Sequence, residues 1–168
     1  LNLLPENRHP IHLGADICCD SAHKTLPVLT GGAYLHISRK APVLFSEQAE
    51  YALSLFASTS PSYLILASLD KVNGLLSFDY PEALGEFTER VQSLKETLAV
   101  KGYRFIGDER LKLTLDAKKY GYTGTEIAEY LDSRGIVCEF ADRDYTVLML
   151  TPANTEDELG LLRSALFS

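Results

Sequence analysis

A chain of 168 residues has room for one domain or two small ones. With 46% hydrophobic and 23% charged residues it can build a real core under an ordinary surface. A net charge of −7 without any basic block makes it a poor candidate for nucleic-acid binding; no apolar run approaches the roughly 18 residues that span a membrane, and no signal peptide is visible.

The three cysteines are Cys18, Cys19 and Cys138. Their count is odd and no C-x-x-C pair occurs, which predicts free thiols in a reducing, cytoplasmic protein. The acidity suits a cationic amino-acid substrate, though many cytosolic proteins are equally acidic. The chain opens Leu1-Asn2-Leu3-Leu4 without a starting Met, so a processed product or a piece of something longer is expected.

Residues 1–14 read as loop, because Pro5, Asn7, Pro10 and Gly14 break any period. His9 and His12 stand three apart, but Pro10 lies between them and no nearby Cys or carboxylate reads as their partner. An ordinary surface loop is expected there, with no metal site. Ala15–Asp20 predicts a short strand, and Ser21–Pro27 a turn carrying Lys24. A lysine at the mouth of a sheet, if buried, loses proton affinity and becomes a nucleophile. Gly32–Ser38 predicts a second strand, apolar at Ala33, Leu35 and Ile37. Ser46 reads as an N-cap for a helix over Glu47–Ala57, with Ala49, Leu53 and Phe56 on one face. Ser60 reads as another N-cap, with Pro61 as first helical residue of a helix running toward Gly74. Hydroxyls gathered before such a helix start suit an anion such as a phosphate.

A long helix follows from about Tyr80 to Lys101. Leu84, Phe87, Val91, Leu94 and Leu98 make one apolar stripe, and Gly102 closes it. Residues 103–168 predict a compact α/β module. Leu111, Leu113 and Leu115 alternate in a half-buried strand. Thr123-Gly124-Thr125-Glu126 is a capping box opening a helix that ends at Gly135. Ile136, Cys138 and Phe140 alternate in another strand, Asp142-Arg143-Asp144 turns, and Thr146–Leu150 returns. Thr155–Glu158 is a second capping box before a last helix with Leu159, Leu162 and Leu166 inward.

The Ser21-Ala22-His23-Lys24 segment resembles the Schiff-base segment of fold-type I pyridoxal phosphate enzymes. Three stretches together resemble the Orn/Lys/Arg decarboxylase family. They are Gly14-Ala15-Asp16, Ser21 to Pro27, and Gly32-Ala33-Tyr34-Leu35-His36-Ile37. Ser58-Thr59-Ser60-Pro61-Ser62-Tyr63, followed by Ala67-Ser68-Leu69-Asp70, matches a further family segment. The resemblance implies an α/β fold: the end of a fold-type I (aspartate aminotransferase-like) large domain over 1–77, then a bridging helix and small α/β domain with an antiparallel sheet over 78–168. It implies a lyase that decarboxylates arginine, lysine or ornithine, with pyridoxal 5'-phosphate held on Lys24. Ser21 and His23 would contact the cofactor phosphate. Thr59 and Ser60 would reach the phosphate of a partner subunit in a homodimer or higher oligomer. The Asp that protonates the pyridine nitrogen, the ring-stacking residue and the phosphate loop lie upstream of residue 1 in the family. The piece alone is therefore expected to be inactive without the N-terminal part of the catalytic core. Two alternatives stand beside this reading. One is an aminotransferase-type enzyme that clamps a carboxylate with Arg110, Arg134 or Arg143; the other is a non-catalytic assembly module.

Overall fold

A computed structural model of the chain describes residues 8–167. The loop expectation over 1–7 lies outside the described residues. The chain is mixed α/β and divides into two compact units, Leu1–Glu82 and Ala83–Ser168. No helix among the described residues is long and apolar enough to cross a membrane.

In the first unit, β1 (Ile17–Asp20) pairs antiparallel with β2 (Tyr34–Ile37), Cys18 opposite His36 and Asp20 opposite Tyr34. The strand period of two then sorts the side chains. Ile17, Cys19, Leu35 and Ile37 share one face; Cys18, Asp20, Tyr34 and His36 share the other. The apolar face is the more open one, with Ile17 and Leu35 exposed. Of the apolar residues of the expected strand, Ala33 and Leu35 are exposed. Between the strands lies the one-turn helix α1 (Ala22–Thr25).

Two helices follow, α2 (Val43–Phe56) and α3 (Tyr63–Leu76). Both depart from the expected starts. Ser46 lies inside α2, where its hydroxyl donates back to Val43 O, and Pro42 occupies the N-cap position. In α3 the N-cap position falls to Ser62, two residues beyond Ser60, and Pro61 stays outside the helix. Neither helix has a side-chain cap bond. A small core joins Ala22, Leu26, Val28 and Val72, with Tyr34, Leu69, Leu76 and Tyr80 packed against it.

Helix α4 (Tyr80–Val100) buries Leu84, Phe87, Thr88, Val91, Leu94 and Leu98, the stripe its spacing predicts. In the second unit, β3 (Lys112–Asp116), β5 (Tyr145–Met149) and β4 (Phe140–Ala141) form an antiparallel sheet in the order β3-β5-β4. Helices α5 (Gly124–Asp132) and α6 (Glu156–Phe167) complete it. Their leucines join α4 in one core: Phe87, Leu98, Leu113, Leu115 and Leu131 are fully buried, with Leu148, Leu159 and Leu162 nearly so. Each such side chain contributes about 1.5–3 kcal/mol through burial. The expected strand over Ile136–Phe140 is shorter than predicted: only Phe140–Ala141 pairs with β5, and Phe140 is exposed.

Both capping boxes form. Thr123 Oγ1 accepts from Glu126 N, while Glu126 Oε2 accepts from Thr123 N at 2.7 Å. Thr155 and Glu158 exchange the same pair of bonds. Gly124 is dictated by closeness, since a Cβ there would stand 2.0 Å from Tyr145 O. The gap lets Thr146 Oγ1, fully buried, donate to Gly124 O at 2.7 Å.

Candidate functional site

The lysine turn is held by three anchors. The turn buries Ala22, at the start of α1, and Leu26, just past its end. Tyr80 Oη donates to Thr25 O at 2.7 Å, which pins the end of the turn; burial pushes that phenol up. Tyr34 Oη reaches Leu69 O and Asn73 Oδ1 at 3.1 and 3.0 Å, tying β2 to α3.

Lys24 lies two residues round from the buried Ala22 and Leu26, so it faces outward. It is exposed, which corrects the buried amine read from the sequence. Ser21 is exposed as well, at the N-cap position of α1 but without a side-chain cap bond. His23 is half-buried. Its backbone N–H and ring Nδ1 both approach Gly32 O, at 3.3 and 3.1 Å, so Nδ1 carries a proton and the ring plane is set by the loop before β2. Gly32 is itself confined, since a Cβ would meet Val28 Cγ1 at 2.3 Å. Ser21, His23 and Lys24 are thus brought together on one short turn at the end of β1.

Thr59 and Ser60 sit in the loop between α2 and α3, both exposed. The described hydrogen bonding there is local, Ser60 N donating to Ser58 Oγ at 3.1 Å. Because α3 starts after them, the helix-start geometry expected at Ser60 and Pro61 is absent. Of the arginines, Arg134 lies over the Tyr130 ring at 3.6 Å and donates to Tyr130 O. Arg143 is exposed in the turn before β5.

Sequence reasoning missed a second constellation on the polar face of β1 and β2. His9 Nε2 lies 2.8 Å from Asp20 Oδ2 and His36 Nε2 3.1 Å from the same oxygen. The two imidazoles meet edge to face, ring centres 5.2 Å apart. Cys18 Sγ stands 3.7 Å from His9 Nε2 and 4.0 Å from Asp20 Oδ1. Burial pulls the His36 imidazole below its ordinary value against the opposing pull of Asp20. Burial and then the Asp20 charge push the Cys18 thiol up. All three cysteines are free thiols, as expected, and Cys19 is exposed on the opposite face from Cys18. The partners of His9 lie 11 and 27 residues away in sequence, so no local spacing signals them. His12, the partner suggested by spacing, is exposed.

The second unit holds a cavity of about 500 Å³ lined by Tyr103, Tyr120, Tyr122, Tyr130, Glu126 and Ile127 among others. The hydroxyls of Tyr103, Tyr120 and Tyr130 donate to backbone carbonyls of Leu166, Gly102 and Ala165.

The family model for "Orn/Lys/Arg decarboxylase, major domain" matches residues 5–104. An "Uncharacterized protein YaaO" of Bacillus subtilis (strain 168) is 36% identical over 149 residues, covering 83% of this chain and 31% of that protein. An "Arginine decarboxylase" of the same organism is 27% identical over 166 residues, covering 91% of this chain and 34% of its own length. Among solved structures, the E. coli constitutive lysine decarboxylase matches with a TM-score of 0.68 at 17% identity, over 99% of this chain and 32% of that one. The last likeness is one of fold. The chain spans about a third of the length of the relatives it matches. It belongs to the Orn/Lys/Arg decarboxylase family.

Proposed function

We propose that this chain is the lysine-bearing part of a pyridoxal phosphate-dependent decarboxylase acting on a basic amino acid, arginine, lysine or ornithine. Lys24 is the attachment residue. The observation that carries this reading is the turn Ser21-Ala22-His23-Lys24, in which two buried apolar residues and the Tyr80 hydroxyl hold a hydroxyl, an imidazole and an outward-facing amine together. These residues suit the cofactor. The amine is exposed where an aldehyde could reach it, and Ser21 and His23 offer O–H and N–H donors to a phosphate. Bound there, the cofactor would supply the electron sink for the pair left behind when carbon dioxide departs. Lys24 would release and accept protons at Nζ, and His23, its Nδ1 held by Gly32 O, would orient one phosphate oxygen through its other edge.

In this reading residues 1–77 are the end of a fold-type I large domain and residues 78–168 a bridging helix with a small domain. The rest of the catalytic core supplies the charge partner of the pyridine nitrogen. Asp20 is a poor candidate for that role, since two imidazoles already converge on it. The parent enzyme works in the cytoplasm as a homodimer or higher oligomer, and Thr59 and Ser60 reach the phosphate held by the neighbouring subunit. The exposed α2–α3 loop supports that assignment: hydroxyls outside any helix are available to a second surface. Arg134, stacked on Tyr130 and bonded to its carbonyl, is a poor carboxylate clamp for the aminotransferase alternative, which would fall to Arg110 or Arg143.

The test is borohydride reduction of the whole decarboxylase loaded with pyridoxal phosphate, followed by peptide mass analysis. The reduced cofactor is expected on the Lys24 peptide, and Lys24→Ala should lose both the label and the decarboxylation of whichever of the three amino acids the enzyme takes. A label on any other lysine removes Lys24 from the role. Mixing Lys24→Ala with Thr59→Ala subunits then tests sharing: partial return of activity supports it, and no return despite confirmed subunit exchange assigns both segments to one chain's site.

A further inference from the structure

We propose that Cys18, His9, Asp20 and His36 form a binding site for a divalent transition metal ion of the zinc class. The four side chains come from three pieces of backbone. Cys18 and Asp20 are two residues apart on β1 and share its polar face. His36 is the direct cross-strand neighbour of Cys18 on β2. His9 arrives from the turn before β1, where its carbonyl accepts from His12 N and Leu13 N at 2.8 and 3.1 Å.

Ligand atoms of His9, Asp20 and His36 all lie within 4.8 Å of one another. Zinc at about 2.0–2.1 Å from nitrogen or oxygen and about 2.3 Å from sulfur sets tetrahedral donors about 3.3 Å apart for N and O, and about 3.6 Å for N and S. The corresponding separations here are 2.8 Å for His9 to Asp20, 3.1 Å for His36 to Asp20 and 3.7 Å for Cys18 to His9. Shifts of a few tenths of an ångström would admit the ion between His9, Asp20 and His36; Cys18, 4.0 Å from the other Asp20 oxygen, would swing in as the fourth donor. Two imidazoles, a thiolate and one carboxylate oxygen suit zinc, cobalt or copper rather than magnesium or calcium, which take oxygen donors.

An independent observation points the same way. His36 Nε2 is sealed from solvent and, despite its 3.1 Å approach to Asp20, has no hydrogen-bond partner of acceptable direction. A buried polar atom without a partner is a cost that a bound ion removes. One contact opposes binding. Ile11 N donates to His9 Nδ1 at 3.3 Å, and a metal on Nε2 leaves the ring proton on Nδ1, so this bond must open. At that length it is a weak bond. Binding also releases the Cys18 thiol proton to solvent.

The test is cobalt(II) titration of the purified whole protein that carries this chain, free of pyridoxal phosphate. The expected spectrum has the visible bands of four-coordinate cobalt and a near-ultraviolet thiolate-to-cobalt band, both bleached by zinc. Cys18→Ser should remove the near-ultraviolet band and keep the visible ones. Cys19→Ser, on the opposite face, should keep both. His36→Ala should weaken binding roughly tenfold or more. Zinc should also slow alkylation of Cys18 and leave Cys19 unprotected. Absence of visible bands, a charge-transfer band that survives Cys18→Ser, or unchanged affinity in a folded His36→Ala overturns the proposal. If His36→Ala does not fold, the two serine variants decide alone.

Discussion

Helix α2 is richer in apolar side chains than α4, yet it is α4 that buries them. α4 buries six residues, Phe87 and Leu98 completely. α2 buries none, and its Phe56 is 88% exposed. The contrast extends to whole units. The second unit closes a core on itself from α4, α5, α6 and one face of its leucine-bearing strands. The first has a four-residue core and leaves Leu44, Tyr51, Leu53, Leu55, Tyr63 and Leu64 open. Apolar surface on that scale is what interfaces are made of. One unit is thus stabilised by its own contacts, while the other is shaped to be stabilised by surfaces outside it, as the proposed assembly with the rest of a decarboxylase requires.

The largest effect should separate the units by truncation of an aromatic ring. Phe87→Ala should cost about 3–5 kcal/mol, as expected for a fully buried ring. Phe56→Ala should change the stability of this chain by no more than about 0.5 kcal/mol. Urea unfolding followed by circular dichroism reads both. Equal losses would mean that α2 is buried in solution, and the contrast between units would fall. Gly124→Ala comes next. Its Cβ would stand 2.0 Å from Tyr145 O, a backbone atom that cannot swing aside. The overpacking should cost about 1–3 kcal/mol or more, and protection of β5 amides from hydrogen exchange should fall with it.

The same contrast explains what could be read from the amino acids alone. The stripe Leu84, Phe87, Val91, Leu94, Leu98 was legible because its partners lie in the same unit and the helix buries one continuous face. The boxes at Thr123 and Thr155 were legible because a capping box is a local bond pattern. Ser46 and Ser60 misled because hydroxyls were read as caps where neither helix uses one: Ser46 bonds back to Val43 O inside α2, and Ser60 precedes the start of α3. On β2 the alternation of Ala33, Leu35 and Ile37 was legible, but period two says nothing of what covers a face, and Ala33 and Leu35 are exposed in this chain. At the site, Ser21, His23 and Lys24 are neighbours in sequence and were found. The cluster of His9, Cys18, Asp20 and His36 depends on strand register and was not.

The smallest effect concerns the caps and tests the comparison through pH. In the second unit, Glu126 accepts from the Thr123 backbone N–H and hydroxyl, and Glu158 from the Thr155 N–H; each carboxyl is thereby held below its ordinary value of 4.5. Asp142, accepting from the Tyr145 and Asp144 N–H groups, is held below 3.8. A carboxyl lowered by folding contributes stability above its unfolded value, and that stability is lost as pH falls through the folded one. α2 and α3 have no side-chain cap bonds to lose. Acidification from neutral pH to below these ordinary carboxyl values should therefore speed hydrogen exchange of the α5 and α6 amides more than that of the α2 and α3 amides. Thr123→Ala should cost about 1 kcal/mol at neutral pH, and Glu126→Gln should flatten the acid dependence at α5 while leaving the α6 response in place. A wild-type pH profile unchanged by Glu126→Gln would show that the box at α5 adds nothing to the self-sufficiency of the second unit, which would then rest on its leucine core alone.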